Sequence, residues 1–70
     1  MVRDERVKKG IVDHLYGDNR VDAAAIQVVV SDGRAVLRGR VPSLSAAIAA
    51  VEDSYAVEGV VYVENRLTVT

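Results

Sequence analysis

Three arginines and a tyrosine, Arg38, Arg40, Arg66 and Tyr62, are the side chains in this sequence best suited to holding a ligand. A guanidinium presents paired N–H donors in one plane, a geometry that matches phosphate oxygens, so such a cluster would suit an anionic head group. The cluster exists only if the fold brings two separate stretches of chain side by side. The same charges also read as a solvated cross-strand ladder, with Glu64 as the acid among the bases, and exposed charge is the default for an uncovered face. Nucleic acid is excluded as a partner: stacking is worth about 1–3 kcal/mol per base, and Tyr62 is the one ring this surface would offer. A second candidate contact is Lys8 and Lys9, which with Arg3 and Arg6 give the N-terminal segment a basic side suited to an anionic membrane surface.

Other chemistry finds little material. His14 is the single histidine, and with Asp13 and Asp18 it provides neither the ligand number nor the spacing of a metal site. Asp13, Asp18 and Asp22 lack the spacing of a calcium loop. There is no cysteine, which removes disulfides, thiolate metal sites and thiol catalysis, and no glycine-rich phosphate loop. No cofactor is called for. Nine basic against ten acidic residues give a net charge of −1, so any anion binding must come from local clustering.

Seventy residues form one domain near the lower size limit for a purely hydrophobic core, and with three tyrosines as the only aromatics that core must be aliphatic. That leaves little volume for a substrate pocket. No apolar run approaches the roughly 18 residues of a membrane span, and the N-terminus, MVRDERVKKGIV, mixes Asp4 and Glu5 into its basic residues and has no signal-peptide character.

The elements that must position these residues follow from periodicity. Val7, Ile11 and Leu15 recur at four and predict an amphipathic helix over residues 3–16, closed by Gly17, with Gly10 marking a close approach. Residues 17–25 are a polar connection with turn or helix-start chemistry at Asp18, Asn19 and Asp22. Ile26, Val28 and Val30 give a strand its inward side, Asp32-Gly33 is a strong hairpin signal, and Ala35, Leu37, Gly39 and Val41 alternate with Val36, Arg38 and Arg40. Pro42 ends that strand, and Ser43 is positioned to cap a second helix over residues 43–57. Its stripe is read as Leu44, Ala47, Ile48, Val51 and Tyr55, and its end as Gly59. A last strand over residues 60–69 turns Val61, Val63, Leu67 and Val69 inward, with Asn65 in the same phase and bonded to backbone; Gly39 leaves room for a helix. The order is αββαβ: an α+β fold with a three-stranded mixed sheet and both helices on one face. The open face then carries Gln27, Val29, Val36, Arg38, Arg40, Tyr62, Glu64 and Arg66.

With its glycines and strand phases placed, the chain resembles a BON domain, the module named after a bacterial osmotically inducible protein and nodulation proteins. The matching stretches are VDAAAIQVVVSDG, AVLRGRV, the second helix with its small residues and Val51, the pair Gly59-Val60, and the closing VENRLTV. The resemblance covers nearly the whole chain and makes residues 1–70 a single BON-like domain. It implies a non-enzymatic module that binds anionic phospholipid or other cell-envelope components, in a periplasmic or membrane-associated protein. Because no signal peptide is visible, a cytoplasmic location stays open. The family has no fixed lipid-contact motif to carry over by position, so Arg38, Arg40, Arg66 and Tyr62, with Lys8 and Lys9 as a secondary contact, rest on the residues alone. The alternative is a protein-interaction or self-association module acting through the sheet face or an uncovered edge.

Overall fold

The computed structural model describes residues 3–70 and has the order read from the sequence. Met1 and Val2, part of the expected 1–70 span, lie outside the described residues. Helix α1 spans Asp4–Tyr16, with Asp4 and Glu5 in its first turn, where carboxylates complement the helix dipole. Its stripe is the expected one: Val7, Ile11 and Leu15 are buried. Gly17 closes α1 in a right-handed conformation (φ −82°), not the left-handed one of a C′ glycine. The connection then turns on side chains. Asp18 Oδ1 accepts the Arg20 N–H at 2.9 Å, and Asp22 Oδ1 accepts that of Ala24 at 3.3 Å, starting a 3-10 turn over Ala23–Ala25.

Strands β1 (Ile26–Ser31), β2 (Arg34–Val41) and β3 (Tyr62–Val69) form one sheet in that order, β1 antiparallel and β3 parallel to the central β2. The hairpin is made by Asp32 and Gly33 at φ +51° and +80°, the paired positive values of a turn whose twist matches the strands. Its tip is tied at two points: the Gly33 carbonyl accepts the Val61 N–H at 2.7 Å, and the Asp32 N–H donates to Asp4 Oδ2 at 3.2 Å. The turn therefore also sets where β3 and α1 begin.

Both helices cover one face of the sheet, and Ile26, Val28, Ala35, Leu37, Val41 and Val63 point into the core with the α1 stripe. Helix α2 spans Leu44–Tyr55, and Ser43 caps it by accepting the Ala46 N–H at 3.2 Å. Its buried side is not the expected one. Ala46, Ala47, Ala49, Ala50 and Ser54 face the sheet, while Leu44, Ile48 and Tyr55 are 66%, 51% and 49% exposed. Of the expected stripe only Ala47 is buried and Val51 half-buried. Small side chains let the helix axis lie close to the sheet, and the Ser54 hydroxyl is satisfied within the helix by the Ala50 carbonyl at 2.9 Å. α1 also closely approaches the turn after α2: a Cβ on Gly10 would stand 2.9 Å from a Val57 methyl, the close approach its place in α1 suggested.

Three further details depart from the sequence reading. α2 ends four residues before Gly59, which sits instead at φ +98° in the turn closed by the Val60 N–H on the Val57 carbonyl. In β3 the inward phase holds, but only Val63 is buried and Leu67 half-buried; Val61 precedes the strand and is exposed, as are Asn65 and Val69. An edge strand half-covered by one helix cannot bury its whole inward row. Gly39 makes room for backbone of the 3-10 turn, not for a helix. At φ +136° it packs against Ala25, whose carbonyl oxygen would lie 2.0 Å from an added Cβ. Gly39→Ala combines backbone strain with a collision that backbone cannot relieve, so it should cost about 3 kcal/mol or more in equilibrium unfolding. A Gly17→Ala control, at a right-handed φ with only ordinary contacts, should stay within about 1 kcal/mol of the parent.

Candidate functional site

The open face of the sheet is laid out by strand register. Across it run the rows Ser31–Arg34–Tyr62, Val29–Val36–Glu64 and Gln27–Arg38–Arg66, followed by the pair Arg40–Thr68. Arg38, Arg40, Arg66 and Tyr62, singled out from the sequence, share this face. Arg34 joins them. Its two-residue spacing from Val36 already placed it in phase, but the strand was read as starting at Ala35.

The face divides into a satisfied part and a free part. Glu64 lies between two arginines, accepting from Arg34 Nη2 on one oxygen and from Arg66 Nε on the other. The hydrogen bond from Arg34, and then that from Arg66, hold the Glu64 carboxyl below its usual range. The Arg34 guanidinium also sits 5.7 Å from the centre of the Tyr62 ring, within cation–π range. This portion is the charge ladder. Arg38 and Arg40 are not part of it: both are exposed, and among the described residues neither has a carboxylate within ion-pair distance. The register sets Arg38 beside Arg66, so cation faces cation where a counter-ion would fit. Four guanidiniums stand against one carboxylate on this face, with Val29 and Val36 alongside. Lys8 and Lys9 lie elsewhere, exposed on α1 in the helix layer, with Lys9 held by Asp13 at 2.8 Å.

A shallow open depression at the other end of α1 is lined by Asp13, His14, Gly17, Asp18, Asn19, Arg20 and Asp53. Arg20 bridges the connection to α2: it reaches Asp18 Oδ2 at 2.8 Å, Glu52 at 3.4 Å and Asp53 at 4.0 Å. A fixed guanidinium thus stands among the acids, and no cluster of three or more metal-ligating side chains occurs among the described residues. Arg20 holds the Asp18 carboxyl far below its usual range through side-chain and then backbone hydrogen bonds. Asp53 moves the other way. Burial first, then its contact with Asp18, push it up to about 6, and its Oδ2 is buried without a partner.

Two helices on one face of a three-stranded mixed sheet, with a charged open face, define a small α+β module. The chain belongs to the BON domain family, whose model matches residues 3–70. Among solved structures the fold is similar to the C-terminal domain of CdsD, the structural protein of the type III secretion system of Chlamydia trachomatis. The TM-score is 0.81 at 21% identity, and the match covers 99% of this chain and 34% of that one, so the chain spans about a third of its neighbour's length. No curated protein sequence matches the chain. The family points to a non-catalytic module.

The Asp18–Asp53 contact makes stability depend on pH. A carboxyl raised on folding contributes most at low pH, and for Asp53 that contribution is lost as pH rises from 3.8 to about 6. The lowered Asp18 contributes at neutral pH and loses its share only in strong acid. Asp53→Asn keeps a donor toward Asp18 without the buried charge. Its melting temperature should therefore change less across that window than the parent's and exceed it at pH 7. Parallel thermal melts on either side of the window check this, and identical profiles would show that Asp53 ionises freely.

Proposed function

We propose that the domain holds onto anionic phospholipid surfaces of the cell envelope through its open sheet face. The observation that carries this reading is the pair Arg38 and Arg40, exposed and without carboxylate partners among the described residues, on an open face that also bears Val29, Val36 and Tyr62. Guanidiniums seat phosphates bidentately, while Tyr62 presents an apolar body and a polar tip suited to the interface. Arg66 is shared with Glu64 and adds positive field beside Arg38. Lys8 and Lys9 belong to the helix layer, so a membrane lying flat on the sheet leaves them out; they form a separate, secondary contact.

Membership of the BON family and fold similarity to a secretion-system structural protein support an envelope setting. No helix of the described residues is long and apolar enough to cross a membrane. Contact at a surface suits such a chain.

Flotation with vesicles of phosphatidylglycerol and phosphatidylcholine tests the proposal. The parent should float with the anionic vesicles, release as salt rises, and ignore purely zwitterionic ones. Arg38→Glu with Arg40→Glu should reduce binding at least about tenfold, since polybasic contacts are worth about 1 kcal/mol per residue near an anionic leaflet and reversal adds repulsion. Lys8→Glu with Lys9→Glu should have the smaller effect. Undiminished flotation of the arginine variant would refute the assignment of this face.

A further inference from the structure

The outer side of α2 is an apolar surface that the fold leaves exposed at Leu44, Ile48 and Tyr55, with Val51 half-buried at its margin. Leu44, Ile48, Val51 and Tyr55 are spaced four, three and four apart and so share one side of the helix, opposite the buried alanines. The stripe is held in place, because the Tyr55 hydroxyl accepts the Val63 N–H at 3.1 Å. It is also bordered by net negative charge. Between Val41 and Asn65 the chain has no lysine or arginine, Glu58 lies just beyond α2, and the Arg20 guanidinium that reaches Glu52 is outnumbered by Asp18, Glu52 and Asp53. The sheet face is the complement: apolar at Val29, Val36 and Tyr62, basic at Arg38 and Arg40.

We infer that two copies of this domain associate head to tail, the α2 stripe of one lying on the open sheet face of the next. Leu44, Ile48 and Tyr55 meet Val29, Val36 and Tyr62, while Glu52 and Glu58 approach Arg38 and Arg40. Charge complementarity selects this arrangement over two others. Pairing α2 with α2 would set one net-acidic surface against another, since the Arg20 guanidinium at each helix is outnumbered by its acids. Edge-to-edge pairing through β3 is disfavoured because its Val63 and Leu67 N–H groups are taken by Tyr55 Oη and Asn65 Oδ1.

The contact joins two different surfaces, so each copy keeps one free and the association is open-ended unless rotation closes a ring. It is weak for an isolated pair. Three strands about 14 Å across and about 26 Å long present on the order of 370 Å², well under the roughly 800 Å² per partner of a standard interface. Holding copies together in one assembly raises their effective concentration and makes the contact count. The inference stands apart from the lipid reading but uses the same arginines, so anionic vesicles and a second copy compete for them.

Complementation tests it. Variant A, Arg38→Glu with Arg40→Glu, loses the sheet face; variant B, Leu44→Ser with Ile48→Ser, loses the helix face. Circular dichroism confirms that each is folded. In NMR dilution series the parent should show concentration-dependent shifts and each variant alone should not. Mixing labelled A with unlabelled B should move α2 resonances of A, and the reverse labelling should move β2 resonances of B, with the complex stopping at one-to-one. Concentration-independent shifts in the parent would overturn the inference, as would variant A self-associating as well as the parent or no shifts on mixing. Vesicle flotation of variant B separates the two proposals: retained binding leaves the lipid reading intact whatever the NMR shows.

Discussion

Everything in this domain depends on how closely α2 can lie on the central strand. β2 pairs with both other strands, and its Ala35 and Leu37 have no exposed surface at all. An aliphatic core this small is stable only where atoms are in contact, because a gap of even a fraction of an ångström forfeits much of the dispersion energy. Close approach is therefore made with small residues: four alanines and Ser54 on α2, Gly10 where α1 meets Val57, and Gly39 against the Ala25 carbonyl. Leu44 and Ile48 are then left exposed, while Tyr55 reaches along the outside to the β3 edge. The surface chemistry of the module follows from its packing.

That arrangement gives the domain two unlike surfaces. On the sheet side, Glu64 satisfies Arg34 and Arg66, and among the described residues Arg38 and Arg40 have no carboxylate partner. On the helix side, Leu44, Ile48 and Tyr55 lie among acids. The small aliphatic core is filled by packed side chains, and the family points to a non-catalytic module. The cluster of Asp18, Arg20, Glu52 and Asp53 fastens the α1–β1 connection to α2 and shares Glu52 with the helix-side surface.

Much of this architecture is legible in the sequence because its local signals agree with its tertiary demands. Asp32-Gly33 has one good conformation between two strands, α1 has a single apolar stripe, and Ser43 after Pro42 caps a helix in the usual way. The reading fails where a segment satisfies two patterns at once. α2 carries apolar residues almost all the way round, and side-chain size points to Leu44, Ile48 and Tyr55 as the buried set; what decides is the space above β2, which local sequence does not encode. Asn65 and Val69 fail for a related reason, since phase assigns them inward but coverage depends on where α2 stops. At the candidate site, alternation placed Arg38, Arg40, Arg66 and Tyr62 on one face. The division between a satisfied ladder and a free pair required the register that sets Glu64 between Arg34 and Arg66.

The most direct test of this account asks which side of α2 is buried. The chain contains no cysteine, so single substitutions Ile48→Cys and Ala50→Cys report on the two sides without interference. Under native conditions the Ile48→Cys thiol should react with a maleimide almost as fast as in denaturant, while the Ala50→Cys thiol should be protected by orders of magnitude. Protection at position 48 with rapid labelling at position 50 would contradict the account, returning the large side chains to the core and removing the apolar surface on α2.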